Sequence, residues 1–90
     1  MPRHFFYLAR CSDNSLYSGT TVNLKARERR HNAGRGARYT ASRRPIEIVH
    51  HEEFETLLDA RRREAEVKRW SKAQKEKLVT QGQATLSDSH

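Results

Sequence analysis

The spacing of apolar positions changes repeatedly along this chain, and each change marks an element. An apolar run, Phe5-Phe6-Tyr7-Leu8, meets a polar corner, Ser12-Asp13-Asn14-Ser15, and a short return, Leu16-Tyr17. That pattern predicts a tight hairpin, because Asp and Asn accept left-handed backbone and hydrogen-bond their own main chain. Loop length then sets the register. With Asp13-Asn14 alone in the loop, Tyr17 pairs with Arg10 and faces away from Tyr7. With Ser12 included, Ala9 lies opposite Tyr17, Tyr7 lies opposite Gly19, and the two tyrosines share a face. The pattern leaves both registers open. Gly19 is placed at the end of the second strand, where a missing side chain would let a ligand backbone come close.

Thr20-Thr21-Val22-Asn23 supplies N-cap candidates for a short basic helix from Leu24 to His31 or Asn32. At about 100° per residue, Leu24, Arg27 and His31 share one face, while Ala26 and Ala33 mark a competing one. Period alone does not choose between them. Asn32 to Tyr39 is a flexible basic segment with two glycines, in which Arg35, Arg38 and nearby Arg43 supply charge suited to phosphates. It lacks the spacing of a P-loop or a dinucleotide fingerprint. Pro45 introduces a third strand, Ile46–His50. Thr56, with Asp59 three residues on, opens the longest helix, from Leu57 to about Trp70. Ser71 and Gln74 form a capping box for a last helix ending near Val79. The order is β-β-α-β-α-α: a small α+β (α/β) domain over 1–79, with a three-stranded antiparallel sheet flanked by helices. Residues 80–90 are polar and aperiodic, and are expected to form a disordered tail.

Charge changes the picture most. Lys and Arg number 18 against 11 Asp and Glu, a net charge of +7, with a pI near 10.2. Such a domain attracts polyanions through phosphate neutralisation and counterion release, so nucleic acid is the expected partner. No apolar run is long enough to cross a membrane, and the start lacks the apolar region of a signal peptide. Cys11, the single cysteine, allows no intramolecular disulfide and no zinc cluster. A reducing cytoplasm fits.

One carboxylate breaks the helical pattern. Leu57, Ala60 and Val67 form a stripe about 80° wide, and Glu64 lies inside it, about 20° from Leu57. Burying a carboxylate is costly unless it is paired or binds a cation. Two readings stand: a buried Glu–Arg pair, or a metal ligand at the edge of a cleft. A single carboxylate suits Mg²⁺, which keeps waters and completes its shell with substrate phosphate oxygens. Zinc does not fit, since His50 and His51 are adjacent and point to opposite faces of a strand. His4 and His90 read as terminal surface residues.

Taken in order, these residues resemble the GIY-YIG nuclease domain, especially its short stand-alone bacterial members. Phe5-Phe6-Tyr7 is similar to the first motif and Tyr17-Ser18-Gly19 to the second. Asn23-Leu24-Lys25-Ala26-Arg27 resembles the helix carrying the essential arginine, and His31-Asn32 with Gly34–Tyr39 resembles the short members. Ala60-Arg61-Arg62-Arg63-Glu64 is similar to the helix bearing the metal-binding glutamate. Phe5-Phe6 stands where the family has Gly-Ile, and Ser18 where it has Ile. The similarity covers His4 to Val79.

The resemblance implies a metal-dependent nuclease of endonuclease type, with DNA expected ahead of RNA as its substrate. DNA against RNA and endo- against exonucleolytic action stay open. It implies that Glu64 holds Mg²⁺ or Mn²⁺, that Arg27 sits against the nonbridging phosphate oxygens, and that Tyr17 is the general base. Tyr7 would position water or phosphate, and His31, one turn beyond Arg27, would position water or share the proton. Gly19, Arg35, Arg38 and Arg43 are the expected nucleic-acid contacts. A phenol with a reference pKa of about 10 needs neighbouring cations to act as a base at neutral pH. Two rival readings remain: a nucleic-acid-binding module of the same fold with little or no activity, and a basic scaffold of a ribonucleoprotein particle.

Overall fold

The computed structural model describes residues 3–88; His90 lies outside them. Its elements are β1 (His4–Arg10), β2 (Leu16–Thr21), α1 (Leu24–Asn32), α2 (Arg38–Ala41), β3 (Glu47–Phe54), α3 (Leu57–Lys68) and α4 (Lys72–Asp88). The strands form one antiparallel sheet in the order β2-β1-β3.

The hairpin takes the longer loop. Ala9 pairs with Tyr17 and Tyr7 with Gly19, and Cys11 N–H donates to the Ser15 carbonyl at 2.9 Å. Asn14 takes the left-handed conformation, φ 70°, and the Asp13 carboxylate accepts from Ser15 N–H and from its hydroxyl. β2 continues past Gly19 to Thr21, so that glycine lies inside the strand rather than at its end.

Alternation along β1 divides the core between two layers. Phe6 and Leu8 pack on one face with Val67, Val79, Leu78 and Trp70, from α3, α4 and the joint between them. Tyr7 and Ala9 pack on the other with Cys11, Ile46, Tyr17 and Leu24. β3 is longer than the sequence pattern predicts, reaching Phe54, and carries an irregularity opposite Leu8/Ala9. Extra residues at such a bulge interrupt strict alternation, which hides the strand from a period-2 reading.

α1 is capped at both ends. The Asn23 side chain accepts from Ala26 N–H at 3.0 Å. At the other end Gly34, φ 80°, closes a Schellman turn, with Gly34 N–H donating to the His31 carbonyl and Arg35 N–H to the Arg30 carbonyl. Glu28 accepts from Ile48 N–H at 2.8 Å, and the Asn32 amide bonds both backbone groups of Ile46. The face turned inward is therefore the Leu24–Arg27–His31 one, with His31 fully buried.

On α3, Ala60 and Val67 are buried, but Leu57 is 40% exposed and the stripe is shorter than drawn. Trp70 is half-buried and packs against the core, with the Arg63 guanidinium over its ring. The Ser71–Gln74 capping box forms as the sequence predicts. α4 then runs on through Val79 to Asp88, beyond the expected end, since no proline interrupts it.

Candidate active site

Tyr7 is the centre of the site. It is 1% exposed, and its hydroxyl meets His31 Nε2 at 2.7 Å. His31 Nδ1 meets Thr40 Oγ1 at 2.8 Å, and the Thr40 hydroxyl donates to the Ala37 carbonyl at 3.1 Å. Thr40 has one proton, and it is committed to Ala37. Nδ1 must therefore carry a proton for Thr40 to accept, Nε2 is bare, and Tyr7 donates to it. Burial, together with the Arg27 charge, holds the His31 imidazole below its ordinary pKa, in the neutral form this chain needs. Burial also pushes the Tyr7 phenol far above its usual range; nearby Tyr17 and Glu64 add to that, and Arg27 opposes it. Tyr7 thus remains a phenol with its proton fixed in the interior.

Local structure explains the arrangement. The Schellman turn after His31 brings Gly36 against the imidazole so closely that a Cβ there would overlap the ring. The chain then enters α2, which supplies Thr40. α2 begins inside the segment that the sequence reads as a flexible loop, Asn32 to Tyr39, and runs two residues past it; four residues are too few to show a helical period. Gly19 plays the same part under Tyr7: a Cβ would lie 2.5 Å from the Tyr7 oxygen. The space beside Gly19 is filled by a side chain of this protein, not left for a ligand backbone, and the expected nucleic-acid contact at Gly19 is corrected accordingly.

Tyr17 stands beside this chain. Its ring is 5.4 Å from His31, edge-on, and stacks on Tyr39 at 6.1 Å. The Arg43 guanidinium covers the Tyr39 ring at 3.8 Å. The Tyr17 hydroxyl makes no hydrogen bond among the described residues and is not counted among their buried unpartnered atoms, which comprise Ser18 Oγ alone. Arg27 is half-buried and close enough to Tyr7 to act on its phenol, and it has no carboxylate partner among the described residues.

Glu64 comes from the layer across the sheet, yet it still acts electrostatically on Tyr7. Its side chain is 19% exposed and pairs with Lys68 at 3.0 Å. The Glu–Arg alternative fails at this position, because the partner is an exposed lysine one turn on. The part-buried Glu–Arg pair of α3 is Arg63 with Glu52.

Other expected residues fall elsewhere. His31 has both nitrogens engaged inside the protein, one by Tyr7 and one by Thr40. Arg43 donates to Asp13 and to the Tyr39 carbonyl, which ties the hairpin turn to α2 and takes up the charge expected to meet phosphate. Arg35 and Arg38 are exposed. The sequence pattern does not mark Thr40, Tyr39 and Gly36 as site residues, since their places depend on the Schellman turn, whose one signal in the sequence is Gly34-Arg35-Gly36. Among the described residues no three His, Cys, Asp or Glu side chains gather in a metal-holding group, and no helix is long and apolar enough to cross a membrane.

A paired-tyrosine sheet face, a basic helix and a carboxylate on the opposing helix describe a nuclease-type domain. The chain belongs to the GIY-YIG family: the GIY-YIG catalytic domain matches residues 3–77. It is 48% identical over 79 residues to a UPF0213 protein of Staphylococcus haemolyticus, covering 88% of this chain and 96% of that one. A UPF0213 protein of Haloquadratum walsbyi is 44% identical over 79 residues, covering 88% and 89%. Among solved structures, a protein of E. faecalis has a TM-score of 0.63 at 38% identity, over 93% of this chain and 90% of that one. A UPF0213 protein of Bacillus halodurans gives 0.56 at 38% identity, over 87% and 83%.

Proposed function

We propose that this protein is a divalent-metal-dependent phosphodiesterase that hydrolyses DNA. One observation carries the reading: a free Tyr17 hydroxyl and an unpaired Arg27 guanidinium stand beside a tyrosine whose proton is locked inward. In this reading Arg27 binds the nonbridging oxygens of the phosphate with charge-assisted hydrogen bonds. Tyr17, as its phenolate, takes a proton from the attacking water; the water oxygen bonds to phosphorus and the bond to the leaving oxygen breaks. Tyr7 is not the base, because its proton is already donated to His31. Its oxygen keeps a lone pair that orients either the water or Arg27.

Glu64 is the residue that would hold the ion. A lone carboxylate suits a hard cation that keeps its waters, and it does not suit zinc. Lys68 competes for that carboxylate, but an exposed ion pair of this kind is worth only about 0.2–1 kcal/mol, which a divalent ion readily displaces. The bound ion would supply Lewis acidity toward the phosphate and the leaving oxygen.

The test compares cleavage of labelled DNA, with Mg²⁺ present, by the parent protein, Tyr17→Phe and Arg27→Ala. Losing a positioned acid–base group costs roughly 10²–10⁴-fold in rate. Tyr17→Phe is expected to fall in that range with unchanged thermal melting, and Arg27→Ala to lose at least as much. Parental rates in both variants would contradict the proposal.

A further inference from the structure

The catalytic reading leaves one face of α1 without a role. We propose that this outward face is the track along which the phosphate backbone of a nucleic-acid strand reaches the site, an inference that rests on the nuclease reading above. An open groove of about 490 Å³ runs along it, with Ala26 and Ala33 in its lining and with Arg27, Arg29, Arg30 and Arg35 around them. Ala26 and Ala33 are seven residues apart, almost two full turns, so they lie one above the other on the helix. Their small side chains leave a furrow between longer ones.

Charge says what the furrow holds. Among the described residues, none of these four arginines has a carboxylate within ion-pair distance, whereas Arg3, Arg10, Arg43, Arg62 and Arg63 all do. Arg38, Arg44, Arg61 and Arg69 also lack one, but only the four on and after α1 line a common groove. The sole acid of α1, Glu28, is turned away to cap the Ile48 N–H. Arg30, an exposed residue, uses Nε to bond the Arg35 carbonyl at 3.1 Å, which steadies the side chain. Like charges at helical spacing repel by about 0.2–0.5 kcal/mol per pair, and no carboxylate among the described residues pairs with them to offset that. A row of phosphates would.

Geometry connects the groove to the chemistry. Arg27 lines it and also lies beside the Tyr7 hydroxyl. A strand bound along Arg29, Arg30 and Arg35 therefore delivers one phosphate to Arg27. The helix rises about 4.5 Å between Arg27 and Arg30, a span that long guanidinium side chains easily match to successive phosphates. Arg29 and Arg30 are thus strand-positioning residues, distinct from the catalytic group.

The experiment measures binding of a fluorescein-labelled DNA oligonucleotide by anisotropy across a salt series in EDTA, so that no cleavage is needed. Arg29→Ala/Arg30→Ala is compared with Arg62→Ala, an exposed arginine on α3. Each phosphate contact contributes a slope of about −0.7 to −0.9 to log K against log salt. The α1 double variant is expected to lose about 1.5 units of slope and at least tenfold in affinity, with Arg62→Ala unchanged and both melting like the parent. Arg30→Glu is expected to weaken binding further. An unchanged slope in the α1 variants, or equal displacement of the strand by polyglutamate at matched charge, would overturn the proposal. If the slope falls as expected but Mg²⁺ yields no products from the parent, the strand track stands and the nuclease reading falls.

Discussion

Thr40, itself fully buried, decides the direction of every proton in the buried chain. By giving its proton to Ala37 it fixes the imidazole tautomer, and the tautomer fixes Tyr7 as donor. Thr40→Val removes the acceptor for Nδ1–H inside a fully buried site. Leaving a buried donor unpaired costs about 1–3 kcal/mol, so the variant is expected to melt several degrees lower. It is also expected to cleave more slowly, with the loss in kcat rather than KM. Thr40→Ser, which restores the hydroxyl, should recover the rate, whereas slow cleavage by Thr40→Ser as well would disprove this role. At this scale the sequence was legible in the ordered set Tyr7, Tyr17, Arg27 and Glu64, of which the structure places the two tyrosines on one sheet face, with Arg27 and Glu64 acting on Tyr7. It was not legible at Thr40 and Gly36, where the role arises only after the chain folds back. Ser18 is a departure from the family motif with a visible consequence: a buried hydroxyl without a partner.

The elements show the same division. Caps at Asn23, Thr56 and Ser71 use local hydrogen bonds, and each begins its helix where the sequence predicts. The register of the hairpin needed the structure, because two loop lengths satisfy the same pattern. α4 depends on a longer tether: Arg10 of β1 grips the Glu76 carboxylate with both terminal nitrogens at 2.7 Å, and Lys72 joins it. The Arg10 hydrogen bonds, with those of Lys72, hold Glu76 down at about 2, against an ordinary value of 4.5. A depressed folded-state pKa contributes stability that is complete above the unfolded value and is lost as pH falls through the folded one. Docking of α4 should therefore weaken as pH drops from about 4.5 toward 2. Circular dichroism melts across that window are expected to show the decline, and Arg10→Ala to flatten much of it. An undiminished decline in Arg10→Ala would show that the tether is not its source.

For the whole molecule, a net charge of +7 signalled a polyanionic partner before any motif was read. The fold distributes that charge unevenly. Among the described residues, five arginines form ion pairs that join elements or steady α3, while those on α1 and the following turn have none, and one of them, Arg27, acts on Tyr7. Composition cannot express that difference, since it depends on which acids lie within reach of which bases. In the proposed reading, one sheet face and its helix would combine strand attraction, phosphate binding and a proton acceptor, and the opposing layer would add a single carboxylate.

The most direct test of this account is cleavage of labelled single-stranded, duplex and branched DNA with Mg²⁺, with Mn²⁺ and with EDTA, comparing the parent protein with Glu64→Ala. The account predicts products with either metal, none in EDTA, and none from Glu64→Ala, whose fold should survive because, among the described residues, its one ion pair is with an exposed lysine. Undiminished cutting by Glu64→Ala, or products in EDTA, would contradict it. Salt-sensitive binding in both proteins without any products would instead leave a binding module of the same fold.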